Sequence, residues 1–398
     1  MRKITILTIV FINILFIVGC SQEASNNGFY TVEFFGPNQE LITETEIYEN
    51  ELIDKPADPV YLNYEFVGWF TSTQHHTKWN FNIDKVNRHL KLYARFETKI
   101  THTISSQNGL DNEGNPVYIK ENIEENIRVN PKVVVSFSLD IADIFMNIGM
   151  DKLNLMRFGI PKSNLPETLN MFDSNMYPNV GTLFEPNYDA LDLILPELII
   201  IGGRSSNLYD TLSQKYPNAD ILDVSNTIFS FETQNQVFTN LGNIFPQIKE
   251  TLDNYLLEFN TRKETIKSLN HSKNALFVLL NNADISIFGA GSRYGVIYDE
   301  FGFTPSDPNL KTLESHGNIV SFEYISQVNP QTIFILDRAQ AVESSGSINL
   351  FINNQLVKNT VAGKNSDIYV LEPFSWYILP GGITSTLQML DDIEQVFK

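Results

Sequence analysis

Pro246-Gln-Ile-Lys-Glu-Thr-Leu-Asp-Asn-Tyr-Leu-Leu-Glu-Phe-Asn-Thr-Arg-Lys-Glu-Thr-Ile-Lys-Ser-Leu-Asn270 is the stretch on which the fold turns. Pro246 suits the first turn of a helix, where its missing N–H would have no partner anyway. Ile248, Leu252, Tyr255, Leu256, Phe259 and Ile266 then recur at helical spacing. A helix of about twenty-four residues, rising ~1.5 Å each, spans roughly 36 Å. That is the length of a domain, not of a local loop. Strand and helix patterns lie on both sides of it. Before it, Val133 to Phe137, Leu198 to Gly202 and Ala219 to Leu222 read as strands, and Asp140 to Met150 and Asp189 to Leu195 as helices. After it, Ala275 to Leu280, Ile285 to Phe288, Thr332 to Leu336 and Asp367 to Leu371 read as strands. The expected fold class is α/β. An N-terminal lobe over 115–245 and a C-terminal lobe over 271–398 are joined by one long helix over 246–270.

Composition bounds what such a molecule does. The chain has 398 residues, with 28 Lys plus Arg against 47 Asp plus Glu, a formal charge of −19. A surface this acidic repels phosphate backbones, so no nucleic-acid partner is expected. Apolar residues make up 42% and aromatics 12%, enough to bury cores. Cys20 is the single cysteine, which excludes an intrachain disulfide and Cys-based zinc sites.

Residues 1–20 have the form of a secretory signal. Arg2 and Lys3 are basic, and Ile4 to Val18 are almost all apolar. The run is short for a membrane span, which needs roughly twenty residues. Phe16-Ile-Val-Gly-Cys20 resembles a bacterial lipobox. The resemblance implies cleavage before Cys20, diacylation of its thiol and firm anchoring by two or three chains. Residues 21–28 would be a tether.

Residues 29–97 read as a small β-rich unit. Tyr30-Thr-Val-Glu-Phe-Phe35 and Leu90-Lys-Leu-Tyr-Ala-Arg-Phe96 alternate with strand period. With Tyr64-Glu-Phe-Val-Gly-Trp-Phe70 and Lys78-Trp-Asn-Phe81 between them, the unit resembles one Listeria–Bacteroides type surface repeat, which implies a β-grasp-like module. Trp69, Trp79 and Tyr93 are its expected core. His75-His76 is a weak metal candidate, because neighbouring strand side chains point to opposite faces. Residues 98–114, rich in Ser, Asn and Gly, read as a linker.

Seven segments of the larger region carry a second resemblance. They are Val180 to Asn187, Pro196-Glu-Leu-Ile-Ile-Ile-Gly-Gly-Arg204, Phe288-Gly-Ala-Gly-Ser-Arg-Tyr-Gly295, Ser315-His-Gly317, Ser321 to Ile325, Leu336-Asp-Arg338 and Ser375-Trp-Tyr377. Together they resemble the class III solute-binding proteins of ABC importers, most closely the lipoproteins that bind catecholate siderophores such as petrobactin. The resemblance implies capture of a ferric siderophore in a cleft between the lobes and delivery to a permease. It implies a monomer on the outer face of the cytoplasmic membrane, not an enzyme, with no cofactor beyond the lipid on Cys20. An anionic ferric chelate needs donors that stay charged, and Arg204, Arg293 and Arg338 lie at strand ends or in a Gly-rich turn. His316 and Tyr377 match the family's pair of iron ligands for tetradentate siderophores. Asp189 and Glu323, with Glu185 close to the first, match its permease contacts.

No Gly-x-Ser-x-Gly elbow, phosphate loop or His-Glu-x-x-His occurs, and Gly289-Ala-Gly291 lacks the rest of a dinucleotide fingerprint. Only His271 and His316 lie in the two-lobed region, which argues against a bare divalent ion as ligand. The alternatives are a surface adhesion or scaffold lipoprotein, or the same fold holding haem, cobalamin or a hydroxamate siderophore.

Overall fold

The computed structural model describes residues 28–75, 77–111, 113–163, 165–225, 228–271, 273–282, 284–310, 317–342 and 347–398. Cys20 with its lipobox, residues 21–27, His76 and His316 lie outside the described residues.

The front module is a sheet built on alternation. β1 (Phe29–Phe35) pairs antiparallel with β2 (Leu41–Tyr48), and β3 (Glu65–Phe70) lies antiparallel on β4 (Leu90–Leu110). β1 and β4 run parallel at the centre. Val32 and Phe34 point inward and meet Trp69, Leu92 and Phe96. Trp69 is buried, whereas Trp79 and Tyr93 are half-buried, Tyr93 stacking on Phe35 at 5.3 Å. His75 is held neutral, its pKa pushed down to about 3 by burial and then by Arg128 and Arg95. No cluster of three or more His, Cys, Asp or Glu fit for a metal occurs among the described residues.

Most of the linker expected over 98–114 is instead paired strand, and the rest is the turn of a hairpin. β4 continues to Leu110 and turns into β5 (Pro116–Arg128), with partners from Glu97↔Arg128 to Gln107↔Tyr118. Ile100, His102 and Ile104 form its buried face. Ile100 and Ile127 join the main core, and Ile104 packs with Val135, Ile199 and Tyr209. The polar member is satisfied: His102 Nδ1 accepts the Asp223 N–H at 2.9 Å, and its Nε2 lies 3.3 Å from Glu125. The boundary at 114/115 therefore falls inside a hairpin.

The N-terminal lobe holds a parallel sheet, ordered β7-β6-β8-β9, of β6 (Val133–Ser136), β7 (Arg157–Gly159), β8 (Leu198–Ile201) and β9 (Asp220–Asp223). β6 and β8 are buried at every residue, as expected of β-branched runs covered on both faces. Around them stand α1 (Leu139–Ile148), α2 (Tyr188–Ile194), α3 (Tyr209–Lys215) and α4 (Phe231–Ile244). Gly149, at φ 103°, ends α1.

A 3₁₀ turn at Pro246–Ile248 leads into the long helix, α5 (Lys249–Leu269). Its buried residues Leu252, Phe259 and Ile266 fall seven apart on one seam. Beyond it, β10 (Asn274–Asn281), β14 (Thr332–Asp337) and β15 (Ile368–Val370) run parallel. β11 (Asp284–Phe288) returns antiparallel to β10, and the short β12 (Thr304–Pro305) and β13 (Asn318–Ile319) complete the sheet. The helices of this half are α6 (Val296–Asp299), α7 (Phe322–Val328), α8 (Arg338–Val342), α9 (Ile348–Asn353), α10 (Gln355–Lys358), α11 (Val361–Asn365), α12 (Pro373–Tyr377) and α13 (Ile383–Glu394). Arg262 on α5 ties down α13 through Asp391 at 2.6 Å and Glu394 at 2.8 Å.

A buried arginine joins the module to the first lobe. Arg128 is 2% exposed. Its backbone N–H donates to Asp220 at 2.8 Å, and its guanidinium reaches Glu197 at 3.2 Å, the Gln74 carbonyl at 3.1 Å and the Asn218 carbonyl at 3.1 Å. Asp220 opens β9 and Glu197 precedes β8, so the module sits at the amino ends of the parallel strands.

Candidate functional site

Arg204 lies at the opposite, carboxyl edge of the same sheet. It follows Ile201 and a Gly202-Gly203 turn, which Ser205 braces by accepting the Gly202 N–H at 3.0 Å. Gly202 is required there, because a Cβ would collide with the Ser138 side chain. Arg338 is the first residue after β14 and opens α8. Arg293 projects from the 289–295 loop, which is held by the Gly291 N–H donating to Asp299 at 2.8 Å and by Ser292 Oγ donating to the Gly289 carbonyl at 2.6 Å. Gly291 has φ 68°, the left-handed region this turn needs.

Arg293 and Arg338 converge on Tyr377, the last residue of α12. Arg293 lies over its ring at 4.6 Å and donates to its carbonyl at 3.1 Å. Arg338 lies 5.6 Å from the ring centre and donates through Nε to the phenol oxygen at 2.8 Å. Arg204, from the other lobe, is close enough to act electrostatically on Tyr377, Arg293, Tyr294 and Arg338. All four residues are half-buried. Among the described residues none of the three guanidiniums has a carboxylate within ion-pair distance.

The charges act on one another. Burial is the main influence pulling the Arg204 guanidinium below its ordinary value, and Arg293 and Arg338 add to it against Tyr377 and Tyr294. An arginine stays charged under any working condition regardless. Burial is also the largest influence on the Tyr377 phenol and raises it. The hydrogen bond from Arg338 and the charges of Arg293, Arg338 and Arg204 together outweigh that, so the phenol sits below the usual tyrosine range. Such a phenol gives up its proton to a Lewis acid more readily. Its neighbour Trp376 is turned into the core, donating to Asp392 at 2.9 Å.

Two further residues belong to this cluster. Asn281, at the end of β10, accepts from Arg338 at 2.9 Å and fixes its fork. Tyr294 is 2% exposed, stacks on Phe277 at 4.3 Å and lies under Arg293 at 5.3 Å. Its hydroxyl is buried without a hydrogen-bond partner among the described residues. Tyr294 stands beside Arg293 in the sequence, but nothing there distinguishes it from a core aromatic. Gly317, which follows His316 in the chain, has φ 78° and lies against Phe288.

Asp189 and Glu323 occupy matching places. Each is exposed, in the first turn of a short helix that precedes a central strand. α2 and α7 reach β8 and β14 through short connections, so their amino ends lie toward the carboxyl edge, where Arg204 and Arg338 begin. Asn187 and Ser321 cap the two helices. Glu185 is exposed two residues before Asn187. A hydrogen bond with Ser321 holds the Glu323 carboxyl below its usual value.

Two α/β lobes, one connecting helix and an interlobe cationic cluster define a class III solute-binding protein. The chain belongs to the periplasmic binding protein family, whose profile matches residues 134–373, and residues 30–95 match the Listeria-Bacteroides repeat domain. The family comprises binding proteins, not enzymes. Petrobactin-binding protein YclQ of Bacillus subtilis is 33% identical over 294 residues, covering 73% of this chain and 91% of YclQ. Its crystal structure superposes with a TM-score of 0.62, covering 75% of this chain and 99% of that one. The ferric-anguibactin-binding protein FatB of Vibrio anguillarum is 28% identical over 70% of this chain and 86% of its own. The catecholate-siderophore binding protein VctP of Vibrio cholerae is 28% identical, with a TM-score of 0.62 over 74% of this chain and 100% of that one. No helix among the described residues is long and apolar enough to cross a membrane.

Proposed function

We propose that the chain captures a ferric siderophore of catecholate or mixed catecholate type, petrobactin-like, and delivers it to the permease of an ABC importer. The observation that carries this reading is the meeting of Arg293 and Arg338 on Tyr377, with Arg204 in electrostatic reach, in a molecule of charge −19. A ferric catecholate is an anion with flat aromatic arms. Guanidinium groups meet both features, by charge-assisted hydrogen bonds and by stacking. YclQ, FatB and VctP, named for petrobactin, anguibactin and catecholate siderophores, support the same class of ligand. Hydroxamate complexes are neutral or cationic and gain less from such a cluster.

In this reading Tyr377, and His316 beyond the described residues, complete the iron coordination when the siderophore fills only four positions. Asp189, Glu323 and Glu185 pair with arginines of the permease, one group on each lobe. Cys20 carries the lipid that holds the chain, as a monomer, on the outer face of the membrane. The test is direct. Protein incubated with ferric petrobactin and passed over a sizing column should emerge coloured. Colourless protein after incubation with petrobactin-like and enterobactin-like complexes would reject the reading and favour a surface scaffold led by the front module.

A further inference from the structure

Asp143 is a buried carboxylate that ligand capture, as described above, does not use. It sits on α1 in the first lobe and is 0% exposed. Its Oδ2 accepts from the backbone N–H of Thr384 at 2.8 Å and of Ser385 at 3.4 Å. Its Oδ1 accepts from Asn147 at 3.0 Å, and Asn147 also donates to Thr384 Oγ1 at 2.7 Å. Thr384 and Ser385 lie in the first turn of α13, whose own N-cap is Gly382 and offers no side chain. A Cβ on Gly382 would collide with the Asp143 carboxylate, so glycine lets the carboxylate reach the helix end. Gln234 on α4 adds a second tie, donating to the Gly381 carbonyl at 3.1 Å and to Thr386 Oγ1 at 2.6 Å. A carboxylate at a helix amino end satisfies open N–H groups and opposes the helix dipole. Here the cap comes from a distant helix, across the lobe boundary.

Both ends of this contact lead to the arginines. Ser138, just before α1, abuts Gly202, which begins the turn of Arg204. On the other side, Gly381-Gly382 follows closely after Tyr377, the residue that holds Arg293 and Arg338. We propose that Asp143 is a positioning residue for ligand capture: by capping α13 across the lobe boundary, it fixes Arg204 against Arg293, Arg338 and Tyr377. The proposal rests on the siderophore reading. A chelate that bridges two lobes binds tightly only if its partners are already in place, since ordering them costs free energy.

The test is a double-mutant cycle, read by fluorescence quenching as the full chain is titrated with ferric petrobactin. Asp143→Ala should weaken binding about tenfold, and Asp143→Asn, which keeps an acceptor oxygen, should recover most of it. In an Arg204→Ala background the Asp143→Ala loss should shrink to less than about twofold, because the two substitutions remove one shared arrangement. Unchanged binding by D143A, or losses that simply multiply, overturns the proposal. If D143A does not fold, Asn147→Ala enters the same cycle with the same two outcomes. Wild-type protein quenched by neither ferric petrobactin nor a ferric enterobactin-like complex overturns the siderophore reading itself, and this inference with it.

Discussion

At the scale of single residues, the guanidinium groups of Arg204, Arg293 and Arg338 lack carboxylate partners among the described residues. Arg128 and Arg262, by contrast, have acidic partners that explain them structurally. Arg293→Ala or Arg338→Ala should weaken a ferric catecholate by more than about tenfold, since one hydrogen bond to a charged group is worth ~1.5–3 kcal/mol. Unchanged quenching titrations in both would remove them from the site. Arg338 also leaves a mark on unliganded protein. It supplies the hydrogen bond that does most to lower the Tyr377 phenol. In Arg338→Ala, ultraviolet titration of tyrosinate should lose its earliest-ionising component, which moves to higher pH. These arginines were legible in sequence because each follows a strand or sits in a Gly-rich turn. Tyr294 and Asp143 were not. A tyrosine in an apolar setting looks like core, and the partners of Asp143 lie some 240 positions away.

At the scale of elements, the hairpin of β4 and β5 corrects the sequence reading. The Thr98 to Ser106 stretch does alternate, but its outward positions are Lys99, Thr101 and Thr103, and one inward position is His102. Such a strand resembles a polar linker until its partner is seen. If Ile104 is core, Ile104→Ala should cost about 2–4 kcal/mol in urea unfolding. A cost near zero would restore the linker. The long helix was legible for the opposite reason, because Leu252, Phe259 and Ile266 recur seven apart on one apolar seam. α1 carries a separate, pH-dependent signature. Burial, opposed by Ser138 and nearby N–H groups, raises the Asp140 carboxyl to about 6, against an ordinary 3.8. Between these values the folded chain keeps a proton that the unfolded chain has lost, so this group makes stability fall as pH rises from about 4 to 6. Asp140→Asn, which carries no titrating carboxyl, should therefore gain on wild type as pH rises through that window. Parallel stability curves for the two proteins would contradict this.

At the scale of the whole molecule, charge is divided by place. The front module joins the first lobe at the amino ends of its strands, through Arg128, and stands away from the arginine cluster. Asp189 and Glu323 stand exposed toward the cluster's own edge, one on each lobe. Among the described residues of this acidic body Arg204, Arg293 and Arg338 form a cationic cluster, and in the proposed function that cluster selects an anionic iron chelate. Competition between ferric petrobactin and a cationic ferric hydroxamate, measured by native mass spectrometry on wild type and on the Arg204→Ala, Arg293→Ala, Arg338→Ala triple variant, tests it most directly. Wild type should hold the anionic complex at least about a hundredfold more tightly, from two or more charge-assisted contacts at ~1.5 kcal/mol each, and the triple variant should lose the preference. Equal occupancy by both chelates in wild type, or a preference that survives loss of all three arginines, would contradict it.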